Sequence, residues 1–113
     1  MPMIHAVTNA AVSPAQQETI RRDWGKAIAL LPEKSEKWLM LEIEGQRCLY
    51  FAGTDAPCAM VHVSLYGKSA PDAYDALTQR ITETIHHTLS IPKDRIYVAY
   101  HETDHWGWNG ANF

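Results

Sequence analysis

Met3-Ile4-His5-Ala6-Val7 and Met60-Val61-His62-Val63-Ser64 lie over one another when the chain is shifted by 57 positions. The same shift sets Pro14 over Pro71, Ile20 over Leu77, Trp24 over Ile81 and Ile28 over Ile85. Leu39, Leu41 and Ile43 then fall over Ile96, Val98 and Tyr100, and no gap is needed. Chance likeness between two amphipathic segments does not keep both prolines and both strands at one offset. The chain reads as a duplicated β-α-β unit: a single domain over residues 1–113, with repeats 2–56 and 57–113.

Around that match, each element carries its own signal. Residues 3–8 form a short strand, apolar on both parities. Ser13, Pro14 and Gln16 then supply a serine cap, a proline in the first turn and a glutamine three after the cap. Ile20, Trp24, Ala27, Ile28 and Leu31 make one apolar helical stripe, which Pro32 ends. A second strand is expected over residues 38–44, a turn at 44–46, a further short strand over 47–51 and a loop at 52–55. Right-handed crossovers put both helices on one face of a four-stranded mixed sheet, an α/β fold. Ile4, Ala6, Leu39, Leu41, Ile43, Val61, Val63, Leu65, Ile96 and Val98 share the helix-covered face. Met3, His5, Val7, Met40, Met60, His62, Tyr97 and Ala99 share the other, and no remaining element covers it. An uncovered face of that composition predicts an obligate oligomer with Tyr97 at or near the subunit boundary.

Composition narrows the class. With 113 residues, 46% hydrophobic and 20% charged, the chain suits one modest core. A formal net charge of −3 gives no reason to expect nucleic acid or an anionic membrane as partner. No apolar run reaches the ~20 residues of a membrane helix. The start lacks the basic and apolar regions of a signal peptide, so a cytoplasmic location is expected. Cys48 and Cys58 are expected to be free thiols.

Three stretches could carry chemistry. Met1-Pro2 is one that is commonly trimmed, leaving a prolyl α-amine. Unperturbed α-amines titrate near ~7.7–8.0, and burial or a nearby lysine lowers that value toward what proton transfer at neutral pH requires. Pro2 could equally be a stiff start to an edge strand. The tail holding Trp106, Trp108 and Phe113 is unusually aromatic; it either wraps an oligomer or walls a pocket for a planar ligand. His101-Glu102-Thr103-Asp104-His105 spells the H-E-x-x-H zinc pattern, but it leaves a strand with no room for the helix that pattern needs, so no metal is expected there.

Met1-Pro2-Met3, Pro57-Cys58-Ala59, Gly67-Lys68, Asp94-Arg95-Ile96-Tyr97 and Gly107-Trp108-Asn109 with Phe113 stand in an order and spacing that resemble the macrophage migration inhibitory factor family of the tautomerase superfamily, over the whole length. The resemblance implies a homotrimer with a central channel and a site at each subunit boundary. It further implies that Pro2 is the general base and acid, and that Lys34 holds the substrate carboxylate and keeps the proline unprotonated. Tyr66 would offer its backbone amide, Tyr97 would come from the neighbouring subunit, and Trp38, Trp106, Trp108 and Phe113 would form the rim. Ala99 replaces an asparagine that meets the far end of the substrate in animal members. Val61 removes the second cysteine of a C-x-x-C pair, and Tyr66 replaces a smaller aliphatic residue.

The implied activity is keto–enol tautomerisation of small aromatic α-keto acids such as phenylpyruvate, with no cofactor. A cytokine-like binding protein with a vestigial pocket is the alternative, and relatives also leave cells without a signal peptide. A hydratase or dehalogenase is a third option, for which the arginines have no evident pocket assignment.

Overall fold

The computed structural model describes residues 1–113. Its elements are β1 (Pro2–Thr8), α1 (Pro14–Ala27), β2 (Met40–Glu44), β3 (Ala59–Tyr66), α2 (Pro71–Leu89), β4 (Ile96–Thr103), β5 (Gly107–Trp108) and β6 (Ala111–Asn112). Short 3-10 turns cover Ile28–Leu30, Glu36–Trp38 and Lys93–Arg95. The sheet is four-stranded and mixed, in the order β2-β1-β3-β4. β1 and β3 run antiparallel with His5 opposite His62, while β1–β2 and β3–β4 are parallel. Met3 faces Met40 in one parallel pair, and Met60 faces Tyr97 in the other. Both pairs therefore keep one register under the 57-residue shift.

Local chemistry fixes the helix ends. The Ser13 hydroxyl accepts from the Gln16 N–H at 3.1 Å, and the Gln16 side-chain oxygen accepts from the Ser13 N–H at 2.8 Å. This reciprocal box satisfies two donors that a helix start leaves free. α1 gives way to a 3-10 turn at Ile28–Leu30 before Pro32, which cannot donate to a continuing helix. α2 ends on Ser90 in the left-handed region, φ 57°. Arg80 joins the helices, its Nη2 lying 2.6 Å from the Asp23 carboxylate.

One core of 16 buried residues lies between the helices and the sheet. It takes Ile4 and Ala6 from β1, Val61, Val63 and Leu65 from β3, and Ile20, Trp24, Leu77, Ile81 and Ile85 from the helices. Leu39, Leu41, Ile43 and Val98 pack against it half-buried.

Three expectations need correction. No strand forms over residues 47–51; Phe51 makes only an isolated bridge to Thr54. The Gln46 and Arg47 N–H groups instead donate to the carbonyls of Ala10 and Thr8, at 2.9 and 3.0 Å. The chain thus leaves β2 beside the end of β1 and cannot fold back on β2. The second strand begins at Met40, because Glu36–Trp38 form a 3-10 turn that Leu39 caps. The uncovered face is also more polar than the expected residues made it. Strand pairing sets Glu42, His5, His62 and Ala99 in one row, Glu44, Val7, Met60 and Tyr97 in the next, and Met40, Met3, Ser64 and His101 in the third.

Candidate active site

Pro2 opens β1 and is buried, its partner across the ladder being Leu65 near the end of β3. Lys34 reaches the same end of the sheet from the loop after α1, and its ammonium donates to the Tyr66 carbonyl at 3.1 Å. The Tyr66 N–H donates to the Met1 carbonyl at 3.2 Å. These bonds tie the chain start, Lys34 and Tyr66 into one unit. The Met1 α-amino group is held below its ordinary value, first by burial and then by the Lys34 charge and hydrogen bonding. Both causes disfavour the protonated amine.

A cavity of about 520 Å³ opens beside this unit. Pro2, Met3, Met40 and Ser64 lie along it, with Lys37 and three tryptophans (Trp38, Trp106 and Trp108) at its sides. Trp38 and Trp108 meet edge to face, ring centroids 5.2 Å apart. β5 and β6 hold Trp108 in place through a hairpin whose tip, Asn109-Gly110, has φ of 54° and 84°. Two positive φ values are what a two-residue type I′ turn requires, and Asn-Gly adopts them readily. The Phe113 N–H donates to the Trp106 carbonyl at 3.1 Å, and the Phe113 ring lies 5.3 Å from that of Tyr66.

Within one chain the structure therefore gathers Pro2, Lys34, Tyr66, Trp38, Trp106, Trp108 and Phe113 at one end of the sheet. The cavity itself touches Pro2 and the three tryptophans, while Lys34, Tyr66 and Phe113 border it. Tyr97 is elsewhere. It is 59% exposed, at the start of β4, and its ring packs on Phe51 with centroids 4.8 Å apart. Leu65, which pairs with Pro2, faces Glu102, five residues farther along β4 than Tyr97. Five strand residues are roughly 16 Å, so Tyr97 can meet Pro2 only across two copies of the chain.

Lys37 was missed as a cavity residue. Its Nζ stands 5.2 Å over the Trp38 ring, and a polar loop gave no sign that the turn would aim it inward. Met3 and Met40 were legible only as occupants of the uncovered face. The H-E-x-x-H stretch begins on β4, which ends at Thr103, so His101 and Glu102 point to opposite faces. His101 Nε2 lies 2.8 Å from His62 Nδ1, while Glu102 accepts from the Tyr74 hydroxyl at 2.5 Å. Cys48 and Cys58 are free thiols, one exposed and one buried.

A duplicated β-α-β unit closing one four-stranded mixed sheet is the fold this chain shares with the tautomerase superfamily. The model of the macrophage migration inhibitory factor family matches residues 1–113, and the chain belongs to that family. MIF2 of Leishmania major is 31% identical, with a TM-score of 0.93, over 100% of this chain and 97% of that one. The macrophage migration inhibitory factor of Toxoplasma gondii superposes with a TM-score of 0.90 at 24% identity, covering 98% of this chain and 99% of its own. The Xenopus laevis factor is 24% identical over 115 aligned residues, 100% of this chain and 99% of the relative.

Proposed function

We propose that the protein is a keto–enol tautomerase for small aromatic α-keto acids such as phenylpyruvate, acting through the amine of Pro2 once Met1 has been removed. The observation that carries this reading is the amine-lowering environment at the chain start, made by burial and the Lys34 ammonium. With Met1 in place, Pro2 nitrogen is an amide without basicity; with it gone, the amine falls one residue deeper, on a buried residue. A neutral prolyl amine can take a proton from the enol hydroxyl, or from the carbon beside the carbonyl, and return one to the other position. Lys34 anchors the carboxylate through a charge-assisted contact, and the tryptophan walls hold an aromatic ring and keep water out.

The site is completed by a second copy. Tyr97 lies too far from Pro2 in its own chain, and the sheet face that carries it has no cover. A trimer, the assembly the family resemblance implies, gives it a neighbouring cavity to enter. Purified protein with and without Met1, separated and verified by intact mass, tests the reading. Phenylpyruvate should equilibrate rapidly only with the processed form; equal rates for both would overturn it.

A binding role is the second reading, supported by the name the relatives carry, macrophage migration inhibitory factor. A processed protein that binds phenylpyruvate without turning it over would favour it.

A further inference from the structure

We propose that His5, Glu42 and Glu44 form a binding site for a divalent transition metal, zinc being the best match, on the uncovered face of the sheet. His5 Nε2 lies 3.2 Å from a Glu44 carboxylate oxygen and 3.7 Å from a Glu42 one, and the three ligand atoms all fall within 4.8 Å of one another. A tetrahedral zinc bound to nitrogen and oxygen at 2.0–2.2 Å sets its ligand atoms roughly 3.4 Å apart. The two imidazole–carboxylate distances stand close to that spacing, and the two carboxylate oxygens lie within 4.8 Å of each other.

Backbone geometry produces this arrangement. Glu42 and Glu44 are two apart on β2 and so share a face, while His5 sits opposite Glu42 on the neighbouring parallel strand. All three positions are fixed by the sheet ladder, so an ion organises side chains and not a loop. The charge balance also favours a cation. Arg47 pairs with Glu44 through the other carboxylate oxygen, Oε1, at 3.1 Å, leaving Oε2 turned to His5. Glu42 has no lysine or arginine partner; its one contact with a basic group is the imidazole. Two carboxylates around one imidazole hold more negative charge than that imidazole and one arginine offset when the ring is neutral, the form in which it binds metal.

The donor set selects the metal. Magnesium and calcium take oxygen cages, and an imidazole nitrogen shifts preference to zinc and its neighbours. Three protein ligands leave a fourth position to water, the pattern of open zinc sites. The site is separate from the proposed catalytic cavity. Met3 and Met40 line that cavity, and the metal ligands lie two residues farther along the strands, roughly 7 Å away. A second imidazole pair stands on the other side, His62 Nδ1 and His101 Nε2 at 2.8 Å, with the His62 ring 6.2 Å from that of His5. That pair is the competing location for an ion on this face.

Calorimetric titration of chelator-stripped, full-length protein with zinc chloride tests the assignment, and cobalt absorption reports the geometry. One zinc per chain at micromolar concentration is expected, with a tetrahedral cobalt spectrum. His5→Ala and Glu42→Gln should each weaken binding at least about tenfold, the low end of what losing even a ligand's outer partner costs. His62→Ala should leave the affinity within about threefold, since it is no ligand in this assignment. Glu42→Gln keeps the side-chain shape, so it reads the site even if His5→Ala folds poorly. Zinc bound only at millimolar concentration, or unaffected by Glu42→Gln, overturns the proposal. Loss confined to His62→Ala or His101→Ala also overturns it, by moving the ion to the imidazole pair.

Discussion

The two ends of the sheet are built alike and occupied differently. At one end, the Gly67 N–H donates to the Thr103 carbonyl at 2.9 Å; at the other, the Gln46 N–H donates to the Ala10 carbonyl at 2.9 Å. The 57-residue shift carries Ala10 onto Gly67 and Gln46 onto Thr103, so the same bond recurs with donor and acceptor exchanged. Beyond it, a tail follows β4 at the first end and the segment after β2 runs over the second. The cavity at the first end is about 520 Å³ and walled by tryptophans, while that at the second is about 280 Å³. Around the second, the Asn9 side-chain amide donates to the carbonyls of Leu49, Asp55 and Ala56, and Arg95 donates to those of Phe51, Thr54, Ala56 and Pro57. One end is the larger and more apolar, while at the other polar side chains are tied to backbone carbonyls.

Equivalent positions bear on why the proposed amine chemistry would sit at only one end. Pro2 shifts onto Ala59, Lys34 onto Ile91 and Trp38 onto Arg95. Ala59 is 4% exposed and Ile91 fully buried, both inside the core. At Ala59 the chain is continuous, so its nitrogen is an amide in a strand. A duplicated fold makes two similar ends, but only the end holding the chain start can present an amine. The comparison breaks most severely at Pro2. In the processed protein, Pro2→Gly keeps an amine but frees it, and kcat for phenylpyruvate should fall by roughly 10²–10⁴. Ala59→Gly, its counterpart, should leave kcat per folded molecule unchanged within about twofold and lower stability by about 0.5–1 kcal/mol. Equal kinetic effects at the two positions would deny that the ends differ in function.

The next test places a charge where the second half has none. Ile91→Lys recreates the residue type of Lys34 at a fully buried site inside the apolar core. Leaving an unpaired ammonium there should cost about 3–5 kcal/mol, lowering Tm by about 12 °C or more. A smaller loss is expected for Arg95→Met, which removes the clamp on the loop carbonyls and the guanidinium over the Phe51 ring but keeps an apolar side chain. Hydrogen bonds from a charged donor are worth about 1.5–3 kcal/mol. Thermal unfolding should show that loss, with tautomerase kcat per folded molecule retained. If Arg95→Met abolishes turnover while leaving Tm unchanged, the second end is not the structural one.

The sequence made some of this contrast legible. Periodicity placed both helices and the four strands of the sheet because Ser13, Pro14 and Pro71 mark the helix starts, and Ile4, Ala6, Val61 and Val63 alternate inward. It also put Pro2 and the terminal aromatics in one conversation, through the family resemblance. The segment after β2 was misread because the apolar run Cys48-Leu49-Tyr50-Phe51 follows a turn signal at residues 44–46, as a short strand would. What decides it is a pair of backbone bonds to Ala10 and Thr8, which side-chain pattern does not encode. Lys37 was missed for a similar reason, since a 3-10 turn sets its direction. The polar row across the uncovered face was hidden because Glu42 and Glu44 look like ordinary solvent positions until β2 is registered against His5.

The finest distinction between the two ends is electrostatic, and Lys34 carries it. Lys34→Met keeps the stem but removes the charge and the bond to the Tyr66 carbonyl. If the ammonium grips a carboxylate present in both ground and transition states, the effect falls on KM, which should rise about tenfold with kcat at its pH optimum nearly unchanged. The pH profile supplies a second, independent readout. In the unprocessed chain the Met1 α-amine is held low first by burial and then by Lys34. The Pro2 amine freed by removal of Met1 is expected to meet the same two causes. Its neutral form is the base, so activity rises with pH through the amine's own pKa. Removing the lysine charge relieves one of the two causes and raises that pKa, so the acid limb should move to higher pH. Burial remains, so the limb should stop short of the ordinary α-amino range of ~7.7–8.0. Rate measurements across the acid limb decide between the roles: a KM effect with an unmoved limb makes Lys34 a carboxylate anchor alone, and a moved limb makes it the residue that keeps the proline ready.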